Sequence, residues 1–148
     1  MPLQGEYEPS AADWVREQVE RYEATGGREA NTLRDTGLPI IIVGTRGAKS
    51  GTVRKQGLMR VEHDGVYAMV GSQGGAPKDP AWVANLREYP DQVSVQDGPE
   101  PWDGVARELD GEERDLWWER AVAAFPDYAD YQERTDREIP VFLFERRG

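Results

Sequence analysis

Cysteine is absent from this 148-residue chain, and histidine occurs once, at His63. Without thiols there is no disulfide framework and no thiolate nucleophile or ligand. One imidazole cannot build a histidine-based metal site, so no metal site is expected. No apolar run approaches the ~20 residues that span a bilayer. The opening residues MPLQGEYEPS have neither a basic start nor an apolar core, so they do not read as a signal peptide. A cytoplasmic location is the expectation, with no transmembrane segment. Positive charge is scarce too: 18 Lys and Arg face 28 Asp and Glu, for a net charge of -10. That balance repels nucleic acid and anionic lipid at long range.

Acids are themselves missing from one stretch. None lies between Asp35 and Glu62, while Arg46, Lys49, Arg54, Lys55 and Arg60 all fall there. This stretch carries +5 and the remainder -15. A basic island in an acidic chain marks either a local anion site or a solvated hairpin whose charges pair with acids elsewhere. Charge alone leaves the two readings open.

Hydrophobic residues make up 38% and charged residues 31%, which suits one globular domain over residues 1–148. Ser10-Ala11-Ala12-Asp13 reads as a capping box. Val15, Val19 and Tyr22 follow at helical spacing up to Gly26-Gly27, predicting an amphipathic N-terminal helix over 10–25 that Trp14 and Tyr22 help to pack down. Residues 28–36 read as loop. Strands are predicted over 38–45, 52–62 (interrupted at Gly57), 66–72, 92–96, 103–109 and 139–144, with a tight turn at His63-Asp64-Gly65. Helices are predicted over 81–88, after Pro80, and over 110–125, with Leu116, Trp117, Val122 and Ala123 inward. Sequential hairpins and few helices favour a mainly β (α+β) antiparallel sheet or small barrel with helices packed outside.

The stretch GTRGAKSGTVRK, residues 44–55, invites a phosphate-loop reading. That loop needs glycine directly before its Lys-Ser pair and five residues earlier. Here Ala48 and Val43 hold those positions, and a strand rather than a helix follows. No GxGxxG opens a helix either. What remains is a glycine-flanked turn that can present Lys49 and backbone N–H groups to an anion. Strand alternation sends Arg54 and Lys55 to opposite faces, and Gly57 marks a bulge or a close backbone approach.

Three stretches in order carry a resemblance. They are Gly47-Ala48-Lys49-Ser50-Gly51 with Arg54; Ser72-Gln73-Gly74-Gly75-Ala76-Pro77 with Pro80, Trp82, Asn85 and Leu86; and Asp130-Tyr131-Gln132 with Thr135-Asp136-Arg137, Ile139 and Pro140. Together they resemble the deazaflavin-dependent nitroreductase family, flavin/deazaflavin oxidoreductases of the FMN-binding split-barrel superfamily, over residues 35–145. The resemblance implies a six- to seven-stranded antiparallel split β-barrel and the cofactor coenzyme F420, an 8-hydroxy-5-deazaflavin with a phosphate and a glutamate tail. FMN is the second choice. It implies that Lys49, Ser50, Arg54, Lys55, Gln56, Gly57, Leu58 and Met59 line the phosphate and ring. By the same resemblance Val70, Gly71, Ser72 and Gln73 run along the deazaflavin, Ala81, Trp82 and Asn85 close the site, and Tyr131 lies near the ring. Ala48, Gln73 and Gly57 depart from the arginine, lysine and proline that members often carry.

The implied reaction moves a hydride from the reduced deazaflavin to a quinone, nitroaromatic or other conjugated acceptor. The cofactor carries the chemistry while the protein binds, orients and excludes water. Ser72, Tyr128 and Tyr131 are the catalytic candidates, as hydroxyl donors to the acceptor oxygen; solvent is the alternative proton source. The expected partner is an apolar small molecule, not nucleic acid. Peripheral contact with the inner face of the membrane through the N-terminal helix stays open, although Glu17, Glu20 and Glu23 oppose it. Monomer and homodimer are both open. Competing readings are a cofactor-binding protein without turnover and an interaction domain whose basic island docks an acidic partner.

Overall fold

The computed structural model of the protein describes residues 3, 5–33 and 36–147; Arg34 and Asp35, in the loop expected over 28–36, lie outside the described residues. Seven strands form one antiparallel sheet: β1 (Ile40–Arg46), β2 (Val53–Met59), β3 (Val61–His63), β4 (Val66–Val70), β5 (Val93–Gln96), β6 (Pro101–Glu108) and β7 (Val141–Arg146). Their order is β2-β1-β5-β6-β7-β4-β3, and the sheet curls into the half-barrel of a split-barrel fold. Four helices are present among the described residues: α1 (Asp13–Thr25), α2 (Ala81–Glu88), α3 (Gly111–Ala124) and α4 (Asp127–Glu133).

Alternation along the strands divides the core in two. Ile41, Val43, Tyr67, Met69, Phe142 and Phe144 face inward, where α2 adds Trp82, Val83 and Leu86. Their neighbours Ile40, Ile42, Ala68, Val70, Val141 and Leu143 face outward onto Val19 and Tyr22 of α1, Trp117 and Ala121 of α3, and Tyr128 of α4. Because both faces are covered, β1 and β7 read as unbroken apolar runs. Asp97, in the β5–β6 turn, accepts from Tyr67 Oη at 2.5 Å and Arg60 Nε at 2.9 Å.

Several sequence expectations are corrected. The long second strand breaks at Arg60, between β2 and β3, rather than at Gly57, which pairs in register with Ile42. A Cβ on Gly57 would sit 2.7 Å from Gln18 Oε1, so this glycine lets α1 lie against β2. No capping box forms: Ala12 is the N-cap, and Ser10 Oγ accepts only from the Ala12 amide at 3.2 Å. Gly26 closes α1 in the left-handed conformation. Tyr22 is buried, whereas Trp14 is 48% exposed. In α3 the inward residues are Trp117 and Ala121, while Leu116 and Ala123 face solvent. The turn Asp64-Gly65 has positive φ at both positions, as a two-residue hairpin of this type needs.

Candidate functional site

The β1–β2 turn is held from two sides. The Gly47 amide donates to Thr52 O, the Gly51 amide to Gly47 O, and Arg46 Nη1 to Gly51 O at 2.7 Å. From α2, Asn85 reaches across: its Oδ1 accepts from the Ala48 amide at 2.8 Å and its Nδ2 donates to buried Thr45 Oγ1 at 3.0 Å. The turn is thereby fixed with the N–H groups of Lys49 and Ser50 lacking an acceptor among the described residues. Adjacent amides without acceptors beside a lysine are donors that suit an anion.

This turn forms one end of a groove of about 810 Å³ lined by Lys49, Ser50, Arg54, Lys55, Gln56, Gln73, Ala81, Trp82 and Asn85. A smaller cavity of about 200 Å³ adjoins it, with Gln73, Pro80 and Trp82 common to both walls. Gly57, Leu58, Met59, Val70, Ser72 and Tyr128 line the smaller cavity beneath Trp14 and Gln18 of α1. Most candidate residues from widely separated segments are thus brought to one continuous depression.

Two are not. Gly71 is buried behind the wall, where a Cβ would meet Val83 and Pro140 within 3 Å. Tyr131 lines neither cavity; its ring stacks edge-on behind Phe125 and Tyr128, with centroids 5.9 and 6.3 Å away. The α4 turn that brings Tyr128 to the wall of the smaller cavity leaves Tyr131 packed against the Tyr128 ring and off that wall.

The basic island divides. Arg46 braces its own turn and Gln92, and Arg60 pairs with Asp97 at 2.9 Å. Arg54 and Lys55 line the groove but meet acids from the N-terminal region, Glu8 at 2.7 Å and Glu23 at 2.5 Å. Lys49 alone of the groove's cations has no acid partner among the described residues. Sequence reasoning missed Glu8 entirely. Residues 6–8 add to the edge of β2 through the Val53 amide to Glu6 O and the Glu8 amide to Val53 O, and no local periodicity announces such an addition. The Thr52 hydroxyl bond and then Arg54 hold the Glu8 carboxyl below its ordinary range. A depressed carboxylate contributes its contact above that ordinary range and loses it as pH falls through the folded value. The strap formed by residues 6–8 therefore loses its Glu8–Arg54 ion pair in acid while keeping its backbone bonds to Val53.

Two hydroxyls face the smaller cavity without hydrogen-bond partners among the described residues, those of Ser72 and Tyr128. Burial pushes the Tyr128 phenol well above its ordinary value, so it stays protonated at neutral pH and can donate a hydrogen bond, while outright release of the proton is made harder.

A profile for the family described as F420H(2)-dependent quinone reductase matches residues 14–146. The chain belongs to this family. An F420H(2)-dependent quinone reductase of Mycobacterium tuberculosis is 32% identical over 129 residues, covering 85% of each chain. A solved F420-H2 dependent reductase is 56% identical, covering 72% of this chain and 94% of its own, with a TM-score of 0.68. A second solved relative, described as a domain-swapped dimer, is 52% identical over 92% of this chain and all of its own, with a TM-score of 0.70. Family membership makes the chain an F420-dependent oxidoreductase. The donor set agrees with that cofactor: unpaired N–H groups and an ammonium at one end suit a phosphate, and the apolar wall of Ala81 and Trp82 at the other suits a ring.

Proposed function

We propose that this chain binds coenzyme F420 along the groove, tail at Lys49 and ring toward Ser72, and reduces a quinone or a similarly conjugated acceptor in the smaller cavity. The observation that carries the reading is the pairing of uncommitted anion donors at one end with uncommitted hydroxyls at the other. Bound there, the reduced deazaflavin supplies the hydride. Lys49 and the Lys49 and Ser50 amides anchor the anionic tail. Trp82, Leu58 and Met59 keep water from the ring, which strengthens every hydrogen bond made inside. Ser72 and Tyr128 donate to the acceptor oxygen as negative charge builds on it.

Mixing protein, reduced F420 and a soluble quinone tests this: absorbance near about 420 nm returns as the cofactor is oxidised. A nitroaromatic in the same assay reads the second acceptor class. Protein that carries FMN, absorbing near about 450 nm, and ignores F420 would contradict the reading. Tyr128→Phe removes a hydroxyl that holds nothing in place, so Tm stays unchanged. Its kcat falls about tenfold, the worth of one hydrogen bond of about 1.4 kcal/mol. An unchanged kcat assigns the proton to solvent.

Glu8 competes with the cofactor tail for Arg54. Glu8→Gln is expected to tighten F420 binding about threefold at low salt; weaker binding would mean the strap helps to hold the tail instead. We place the protein in the cytoplasm, as no helix among the described residues is long and apolar enough to cross a membrane and acids flank exposed Trp14 on α1. The swapped relative supports a homodimer, so light scattering should return about twice the 16.7 kDa of one chain.

A further inference from the structure

The segment from Gly71 to Asp79 carries Ser72 and Gln73 to the wall of the smaller cavity, yet it has little regular structure of its own. It contains one turn of 3-10 helix, Gln73–Gly75. Within it Gln73 has φ +44, a left-handed conformation that side chains disfavour, and Gly75 has φ +80. Its internal bonds are the Gly75 amide to Ser72 O and the Ala76 amide to Gln73 O. Such a loop needs an outside brace to hold one shape.

The brace is Arg137. Its Nη1 donates to Gly71 O at 3.1 Å, Nη2 to Ser72 O at 2.8 Å and Nε to Ala76 O at 2.9 Å, and Nη1 also pairs with Asp79 at 2.7 Å. One guanidinium fork therefore grips both ends of the turn and the segment beyond it. Its side chain is only 16% exposed, which strengthens these charge-assisted bonds. Arg137 is itself held: its carbonyl accepts from Gln132 Nε2 at 2.8 Å, and its amide donates to Thr135 Oγ1 at 3.3 Å. It touches neither cavity.

We propose that Arg137 is the positioning residue of the acceptor site, setting the Ser72 hydroxyl and Gln73 against the ring without contacting either reactant. The proposal rests on the functional reading above. A lysine at 137 keeps the charge and the Asp79 pair but cannot span three carbonyls in one plane. The tail anchor at Lys49 lies on a different segment and is left alone.

In Arg137→Lys, kcat for quinone reduction is therefore expected to fall by about tenfold or more, since small misplacements near reacting atoms cost about that much. The Kd for F420 should move less than about threefold. Hydrogen exchange at the Gly75 and Ala76 amides should quicken at least about tenfold, while sheet amides such as Val43 keep their protection. Arg137→Ala should regain turnover when ethylguanidinium is added. Turnover and loop exchange both within about twofold of wild type would overturn the proposal. So would a loss of turnover in which loop and sheet amides exchange faster together and ethylguanidinium restores nothing, for then Arg137 only stabilises the fold. Exchange is read without cofactor. If wild type fails to bind F420, the functional reading falls, and unchanged loop exchange would still reject Arg137 while faster loop exchange would support it.

Discussion

Trp82→Ala is expected to lower the unfolding free energy by about 3–5 kcal/mol, the cost of emptying a buried tryptophan site. Trp82 is 6% exposed, its ring meets Phe142 edge-on at 6.0 Å, and it lies in the inner core with Val83 and Leu86. Domains of this size have about 5–15 kcal/mol in total, so the loss is a large fraction. It should appear as a lower urea midpoint with an unchanged slope. The functional consequence is separate: Trp82 lines both cavities, so its removal widens the passage between them and lets water into the smaller one. Trp82→Phe keeps an aromatic wall and should lose less of both stability and cofactor affinity. A midpoint that barely moves in Trp82→Ala would mean the ring does not pack as described.

Lys49→Glu should weaken F420 binding about a hundredfold, or about 2.7 kcal/mol. Lys49→Ala should weaken it about tenfold, because the two free amides of the turn remain. Reversal does more than removal because it places a carboxylate against an anionic tail. Stability should hardly change in either variant, since Lys49 is exposed and forms no ion pair among the described residues. Equal affinity in all three proteins would take Lys49 out of the site.

Much of this could be read from sequence where the signal is local. Pro80 before Ala81 marks the start of α2, which runs over Ala81–Glu88 as expected. The apolar runs of β1 and β7 mark central strands, and Asp64-Gly65 marks a hairpin turn. What escaped depends on contacts between distant segments. The choice of Trp117 and Ala121 over Leu116 and Ala123 is made by where α3 rests on the sheet, and the weak amphipathicity of that helix does not announce it. Residues 6–8 join β2 through backbone bonds, which leave no side-chain pattern. The charge-pairing reading of the basic island holds for Arg54 and Lys55, which are met by Glu8 and Glu23; an anion at Lys49 is what we propose. Arg137 was visible as part of a resembling stretch, but only its four bonds to residues about sixty positions away disclose what it does.

Titration of the purified protein with F420 at rising salt is the most direct test of the central claim, that the Lys49 turn grips an anionic tail while the ring lies along the groove against Trp82. The account predicts saturable binding whose affinity falls as salt screens the tail contacts, with a visible shift in deazaflavin absorbance as the ring leaves water. Absence of binding at low salt, or binding indifferent to salt and unchanged in Lys49→Glu, would contradict it.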